Sequence, residues 1–133
     1  MAVSPADSPY WNPKTETLPR ADLRALQLAK LRRVVDWASA RSPHYRRTLA
    51  ASNVTVDALS TWDDLRRIPF LTRQDWMDSQ AAAPPYGELP VAGPDAAVRL
   101  HTTSGTTGRE PLRALDSRKD WTWAAEMFSA SVW

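Results

Sequence analysis

The stretch Thr102-Thr103-Ser104-Gly105-Thr106-Thr107-Gly108-Arg109 constrains this chain more than any other. It offers no apolar side chain to a core, and its hydroxyl residues and glycines favour an irregular, solvent-facing backbone. On either side of it, Val98-Arg99-Leu100-His101 and Leu112-Arg113-Ala114-Leu115 alternate in polarity. Alternation is the pattern of a half-exposed strand, whose side chains point to opposite faces in turn. Residues 95–116 are therefore predicted to be a strand–loop–strand unit with the Ser/Thr/Gly loop at its tip.

The loop has the makings of an anion grip. Gly105 and Gly108 allow positive φ and close approach of the backbone to a ligand. Successive N–H groups can form a concave nest for an anion. The hydroxyls of Thr103, Ser104, Thr106 and Thr107 add donors, and Arg109 adds a guanidinium fork that fits phosphate oxygens. A plain polar turn in a hairpin accounts for the composition equally well. The spacing excludes a Walker A loop, which needs four residues between its glycines and a following Lys, and it excludes G-x-G-x-x-G.

Upstream, residues 1–17 are rich in Pro, Ser and Thr with Tyr10 and Trp11 embedded, and are expected to form an extended arm. Leu18-Pro19 opens a helix, since Pro suits a first turn. Leu23, Leu26, Leu31, Val34, Val35 and Ala38 recur at helical spacing and define its apolar face. Ser42-Pro43 has the form of an N-cap followed by a first helical residue. Thr61–Asp64 and Thr72–Asp75 place an acid three residues after a threonine, a variant capping box, so each is expected to start a short helix. Residues 81–94 are rich in Pro and Ala and read as a connecting loop. Asp116 or Ser117 is expected to cap a last helix carrying Trp121, Ala124, Ala125 and Phe128. Its Trp121, Trp123 and Phe128, at helical spacing, are more readily core than a pocket for an aromatic ligand.

With 133 residues the chain is long enough for one ordinary domain. It has no cysteine, which removes disulfides and thiolate metal sites. Residues 1–10 lack the basic and apolar regions of a secretory signal, and no apolar run approaches a membrane span. A soluble, cytoplasmic protein is expected. Arg20, Arg24, Lys30, Arg32, Arg33, Arg41, Arg46 and Arg47 face only Asp22 and Asp36 between positions 20 and 47. On the first helix, however, the polar arc mixes Asp22 and Asp36 with Arg32 and Arg33, unlike the single-sign stripe of a nucleic-acid surface. His44 reads as structural, and His101 is a candidate only through its place beside the loop. Ser104 lacks the G-x-S-x-G elbow of a hydrolase. No residues stand at metal-ligand spacing.

The loop also resembles a known one. Thr103 to Gly108 matches, residue for residue, the phosphate-binding loop of the adenylate-forming superfamily, roughly Ser/Thr-Ser-Gly-Thr-Thr-Gly-Lys-Pro. Arg109 stands for the Lys, and Glu110 intervenes before Pro111. Arg99-Leu100-His101 is similar to the Arg-x-His before the loop of phenylacetate–CoA ligases. Glu16-Thr17 with Leu23, Leu26, Gln27 and Leu31, then Pro43-His44-Tyr45-Arg46, and then the run from Leu65 to Asp75 resemble further segments of that group, in collinear order.

The resemblance implies an α/β fold class: the N-terminal part of the adenylate-forming enzyme fold, with helices over about 19–80, a strand–phosphate loop–strand unit and a last helix. It divides the chain into an arm at 1–17, a helical subregion at 18–80, the Pro/Ala loop at 81–94, and the start of an AMP-binding domain at 95–133 with its phosphate loop at 102–109. It implies a carboxylate–CoA ligase that forms an acyl-adenylate and then a thioester, acting on an aromatic or aryl-acetic acid. ATP, Mg²⁺ and coenzyme A would be required, with ATP held by Thr103, Ser104, Gly105, Thr106, Thr107, Gly108 and Arg109. Neither nucleic acid nor membrane is an expected partner. The 133 residues are expected to be a shortened portion, inactive alone and inclined to self-associate. The alternatives are a basic helical binding module and an inactive remnant.

Overall fold

A computed structural model describes residues 8–104 and 110–132. Its elements are α1 (Pro13–Glu16), α2 (Arg20–Arg41), α3 (Pro43–Ala51), a 3-10 helix (Asp63–Arg67), α4 (Arg73–Ala82), a second 3-10 helix (Pro94–Ala96), β1 (Ala97–Thr102), β2 (Arg113–Ser117) and α5 (Arg118–Val132).

Helix starts follow the local chemistry. The Ser42 hydroxyl accepts from the Tyr45 N–H, and Pro43 occupies the first helical position of α3. Thr72 and Asp75 exchange both bonds of a capping box at the start of α4. Ser117 and Asp120 do the same before α5: the Ser117 hydroxyl accepts from Asp120 N–H at 3.3 Å, and Asp120 accepts from Ser117 N–H at 2.9 Å. Pro19 is the N-cap of α2, one place ahead of the first turn. The Thr61–Asp64 box yields a 3-10 helix. There the Asp64 carboxylate collects the N–H groups of Ser60 and Thr61 and the Thr61 hydroxyl. Those bonds hold its carboxyl below the usual carboxylate range.

Three expectations need correction. The arm at 1–17, expected to be extended, contains a helical turn at Pro13–Glu16 in its described part. Pro13 presets the helical φ, and Glu16 accepts the N–H of Asn12. The loop expected at 81–94 begins two residues later, because α4 runs on through Ala82. Val34, expected on the apolar face of α2, is 58% exposed. The half-buried and buried stripe runs through Leu28, Leu31, Val35 and Ala38 and leaves Val34 at its margin.

The core lies in the helical part. Val35, Leu49, Val54 and fully buried Leu59 form it, with Leu31, Tyr45, Val56 and Ile68 packed against it. Burying one such leucine contributes roughly 2 kcal/mol. The Trp62 indole donates to the Arg24 carbonyl and ties the 3-10 helix to α2.

β1 and β2 pair antiparallel, with Leu100 opposite Leu115 and His101 opposite Ala114, and with a register shift between Ala97 and Arg99. The strand pair expected within 95–116 is therefore present, with β2 extending to Ser117.

Candidate functional site

The two strands deliver the Ser/Thr/Gly loop from one neck. Thr103 N–H donates to the Leu112 carbonyl at 3.0 Å, and Leu112 N–H donates to Thr103 Oγ1 at 3.0 Å. The Thr103 hydroxyl oxygen is thus occupied as an acceptor, while its own proton stays available to a ligand. Ser104 is exposed at the loop entry. Gly105, Thr106, Thr107, Gly108 and Arg109 lie outside the described residues.

The loop's exit is clamped by a residue that local sequence reading does not mark. Gln80 of α4 is buried; its Nε2 donates to the Pro111 carbonyl at 3.2 Å and its Oε1 accepts from Arg113 N–H at 2.6 Å. Because the amide holds both a donor and an acceptor in one plane, it mimics a neighbouring strand. α4 is held in turn from its far side. Ser79 Oγ accepts from Glu88 N–H at 2.7 Å. Gly87 sits at φ +78, where an added Cβ would stand 2.7 Å from Ser79 Oγ, so glycine is required. Glu88 reaches back to α3. Its carbonyl accepts from the Ser42 hydroxyl at 2.7 Å, and its carboxylate pairs with Arg47. The Arg47 bond holds the Glu88 carboxyl below its ordinary range.

Of the two departures from the loop pattern, Glu110 lies among the described residues and has a structural partner. The Glu110 carboxylate lies 3.6 Å from the Arg113 guanidinium, which also donates to the Pro85 carbonyl at 3.4 Å. The charge of Glu110 is thus matched by a cation from β2. His101 Nε2 meets Asp116 Oδ2 at 2.7 Å across the strands. The Arg99 guanidinium stacks 3.8 Å from the centre of the Trp121 ring, and the His101 ring lies 5.9 Å from it. Arg99 and His101 therefore fasten one face of β1 to α5, and the Arg-x-His signature has a packing role at the foot of the loop.

The aromatic residues of α5 do not form a core. Trp121 is 41% and Trp123 47% exposed, and Phe128 is exposed as well. Trp121 is covered by Arg99 and Trp123 by Lys30, whose ammonium lies 5.1 Å from its ring centre. The cation on Trp121 comes from the polar side of β1, which carries Arg99 and His101, and the cation on Trp123 comes from α2.

The chain is 40% identical over 99 residues to the phenylacetate–coenzyme A ligase of Thermus thermophilus, a match spanning 74% of this chain and 21% of that relative. It is 35% identical over 94 residues to the enzyme of the same name from Escherichia coli, spanning 71% of this chain and 20% of that one. Among solved structures, 2-hydroxyisobutyryl-CoA ligase with 2-HIB-AMP and CoA in an open conformation superposes on 97% of the chain. The TM-score is 0.86 at 30% identity. This is a phenylacetate–CoA ligase-like chain of the adenylate-forming superfamily. It resembles the N-terminal portion of those enzymes only. It spans about a fifth of the length of the curated relatives it matches, and 27% of the solved neighbour. No family model matches. Among the described residues no helix is long and apolar enough to cross a membrane.

Proposed function

We propose that the chain is the N-terminal part of an ATP-dependent, AMP-forming carboxylate–CoA ligase acting on an aromatic or aryl-acetic acid. The observation that carries this reading is the hairpin that presents the 102–109 loop from a neck fixed at Thr103 and Leu112 and clamped by Gln80. A loop held at both ends can offer its donors to a phosphate with little reorganisation. In this reading Thr103, Ser104, Thr106 and Thr107 give hydroxyl donors to the β- and γ-phosphates of ATP. Gly105 and Gly108 let the backbone approach, and Arg109 neutralises the departing pyrophosphate. The carboxylate attacks the α-phosphate to form an acyl-adenylate and release pyrophosphate. The thiol of coenzyme A then displaces AMP. Residues 95–133 are the start of the AMP-binding domain, and residues 18–80 are a helical subregion that supports it.

Phenylacetate–CoA ligases as relatives favour an aryl-acetic acid, whereas the solved neighbours carry 2-HIB-AMP. Among the described residues no group of three or more His, Cys, Asp or Glu could hold a metal ion. The rival basic binding module is disfavoured by the many intramolecular partners of the cations at 20–47. Arg46 donates to the Ser39 and Ala40 carbonyls, Arg47 pairs with Glu88, Arg32 with Asp57, and Lys30 and Arg41 lie over Trp123 and Trp37.

The test replaces the matching portion of the Thermus thermophilus ligase with this chain. ATP–pyrophosphate exchange is then measured with a panel of aromatic acids. Arg109→Ala is expected to impair ATP use far more than acid KM, because this reading assigns the guanidinium to the leaving pyrophosphate and not to the acid. An unchanged ATP KM and kcat with a raised acid KM would remove Arg109 from this role. The 133-residue chain alone is expected to show no exchange, since adenylation needs adenine, α-phosphate and carboxylate held together in line.

A further inference from the structure

Most cations between positions 20 and 47 are engaged within the chain, but Arg20 and Arg24 are not. Among the described residues no acceptor or ring meets either guanidinium. The two stand four positions apart on α2, so both leave the same face of the helix. Opposite them runs the 3-10 helix Asp63–Arg67. Between the two elements lies a cleft of about 610 Å³ whose walls include Arg20, Arg24, Gln27, Trp62, Asp63 and Arg66. That volume suits a small molecule.

The cleft has one flat wall and three positive ones. Trp62 is 37% exposed, and its indole N–H donates to the Arg24 carbonyl at 3.2 Å. The bond holds the ring against α2, where it can stack with a second flat ring. Of the three guanidiniums around it, only that of Arg66 has a carboxylate nearby, Asp63 at 3.9 Å, and both of those side chains are largely exposed. Loosely held guanidiniums keep their donors for an anion, and their fork matches phosphate oxygens. Asp63 adds an acceptor for hydroxyl protons, and the Gln27 amide adds a donor and an acceptor. A bare phosphate would use the cations alone, and an apolar molecule would use the ring alone.

We propose that this cleft binds a nucleotide, a flat heteroaromatic ring joined through a sugar to a phosphate. The ring stacks on Trp62, the phosphate meets Arg20 and Arg24, and Asp63 accepts from the sugar hydroxyls. None of these residues belongs to the 102–109 loop, so the cleft is a separate site whether or not that loop holds ATP.

The experiment titrates the 133-residue chain with AMP, adenosine, ribose 5-phosphate and inorganic phosphate. Affinities are read by NMR from the Trp62 indole N–H signal, so that binding at the loop is not counted. AMP should shift that signal and the amide signals of Arg24 and Arg66. It should bind at least about tenfold more tightly than adenosine or ribose 5-phosphate, because ring and phosphate each add a contact. Arg20→Gln combined with Arg24→Gln should weaken AMP about tenfold or more and leave adenosine unchanged. Both side chains are exposed, so the doubly substituted chain should fold as before, which unchanged amide protection at Leu49 and Leu59 checks. Equal affinity for AMP and inorganic phosphate would reduce the cleft to a patch of charge and overturn the proposal. AMP-induced shifts confined to Thr103, Ser104 and Leu112 would also overturn it, since they would put the nucleotide at the loop. So would a Trp62 signal that does not move at millimolar AMP.

Discussion

The helical part and the hairpin part of this chain are stabilised in opposite ways. Between Leu31 and Ile68 the apolar side chains meet one another around fully buried Leu59. From Val98 onward they mostly face solvent, and order comes from polar devices: the Gln80 clamp, the Ser117–Asp120 cap and the Arg99–Trp121 stack. The first part carries its own core. The second is ordered by polar contacts and leaves much of its apolar surface exposed.

The contrast breaks most sharply on two leucines. Leu59→Ala is expected to cost about 2–5 kcal/mol, the range for emptying a packed core site. Leu100→Ala, at 49% exposure, is expected to stay within about 0.5 kcal/mol. Urea unfolding of the two variants measures both, and equal losses would erase the distinction between the regions.

Gln80→Leu comes next. It removes the partners of Arg113 N–H and the Pro111 carbonyl, each costing about 1–3 kcal/mol if left buried and unpaired. The damage should be local. Amide exchange should rise at Arg113, while protection around Leu49 and Leu59 is unchanged; uniform loss across the chain would mean that the two parts unfold as one.

Gly87→Ala tests the link between them. Positive φ and a Cβ 2.7 Å from Ser79 Oγ should together cost more than about 1 kcal/mol. Since Ser79 adjoins Gln80, the hairpin should loosen as well. A neutral result would show that the turn at 83–88 can shift without disturbing α4.

The smallest expected effect is acid sensitivity. Asp64, Asp75 and Glu88 are held below their ordinary range chiefly by bonds from Thr61, Thr72 and Arg47. A carboxyl with a depressed folded value binds its proton less readily folded than unfolded. Its contribution is therefore present above the unfolded value near about pH 4 and is lost as pH falls through the folded one. Thr72→Val should flatten this acid limb, mainly by freeing Asp75. An unaltered limb would assign the acid sensitivity to other groups.

What the sequence could reveal tracks chain distance. Thr72 with Asp75, Ser42 with Pro43, and Ser117 with Asp120 act within one helical turn, so spacing alone exposes them. The alternating runs of β1 and β2 are equally local. The helical turn at Pro13–Glu16 was missed because its Pro and Thr favour extended chain until Glu16 closes on Asn12. Gln80 reaches partners 31 and 33 positions away, and nothing in its neighbours marks it.

By itself, then, the chain's order of residues determined the helix starts at Ser42, Thr72 and Ser117 and the strand pair. These depend on backbone preferences and side chains a few positions apart. Tertiary structure decided that Val34 faces solvent while Leu28 is half-buried, that Glu110 pairs with Arg113, that His101 bonds to Asp116, and that Gln80 seals the outer edge of β2. Each of these depends on which surfaces meet once the chain has closed on itself, and a short window of sequence carries no such distances.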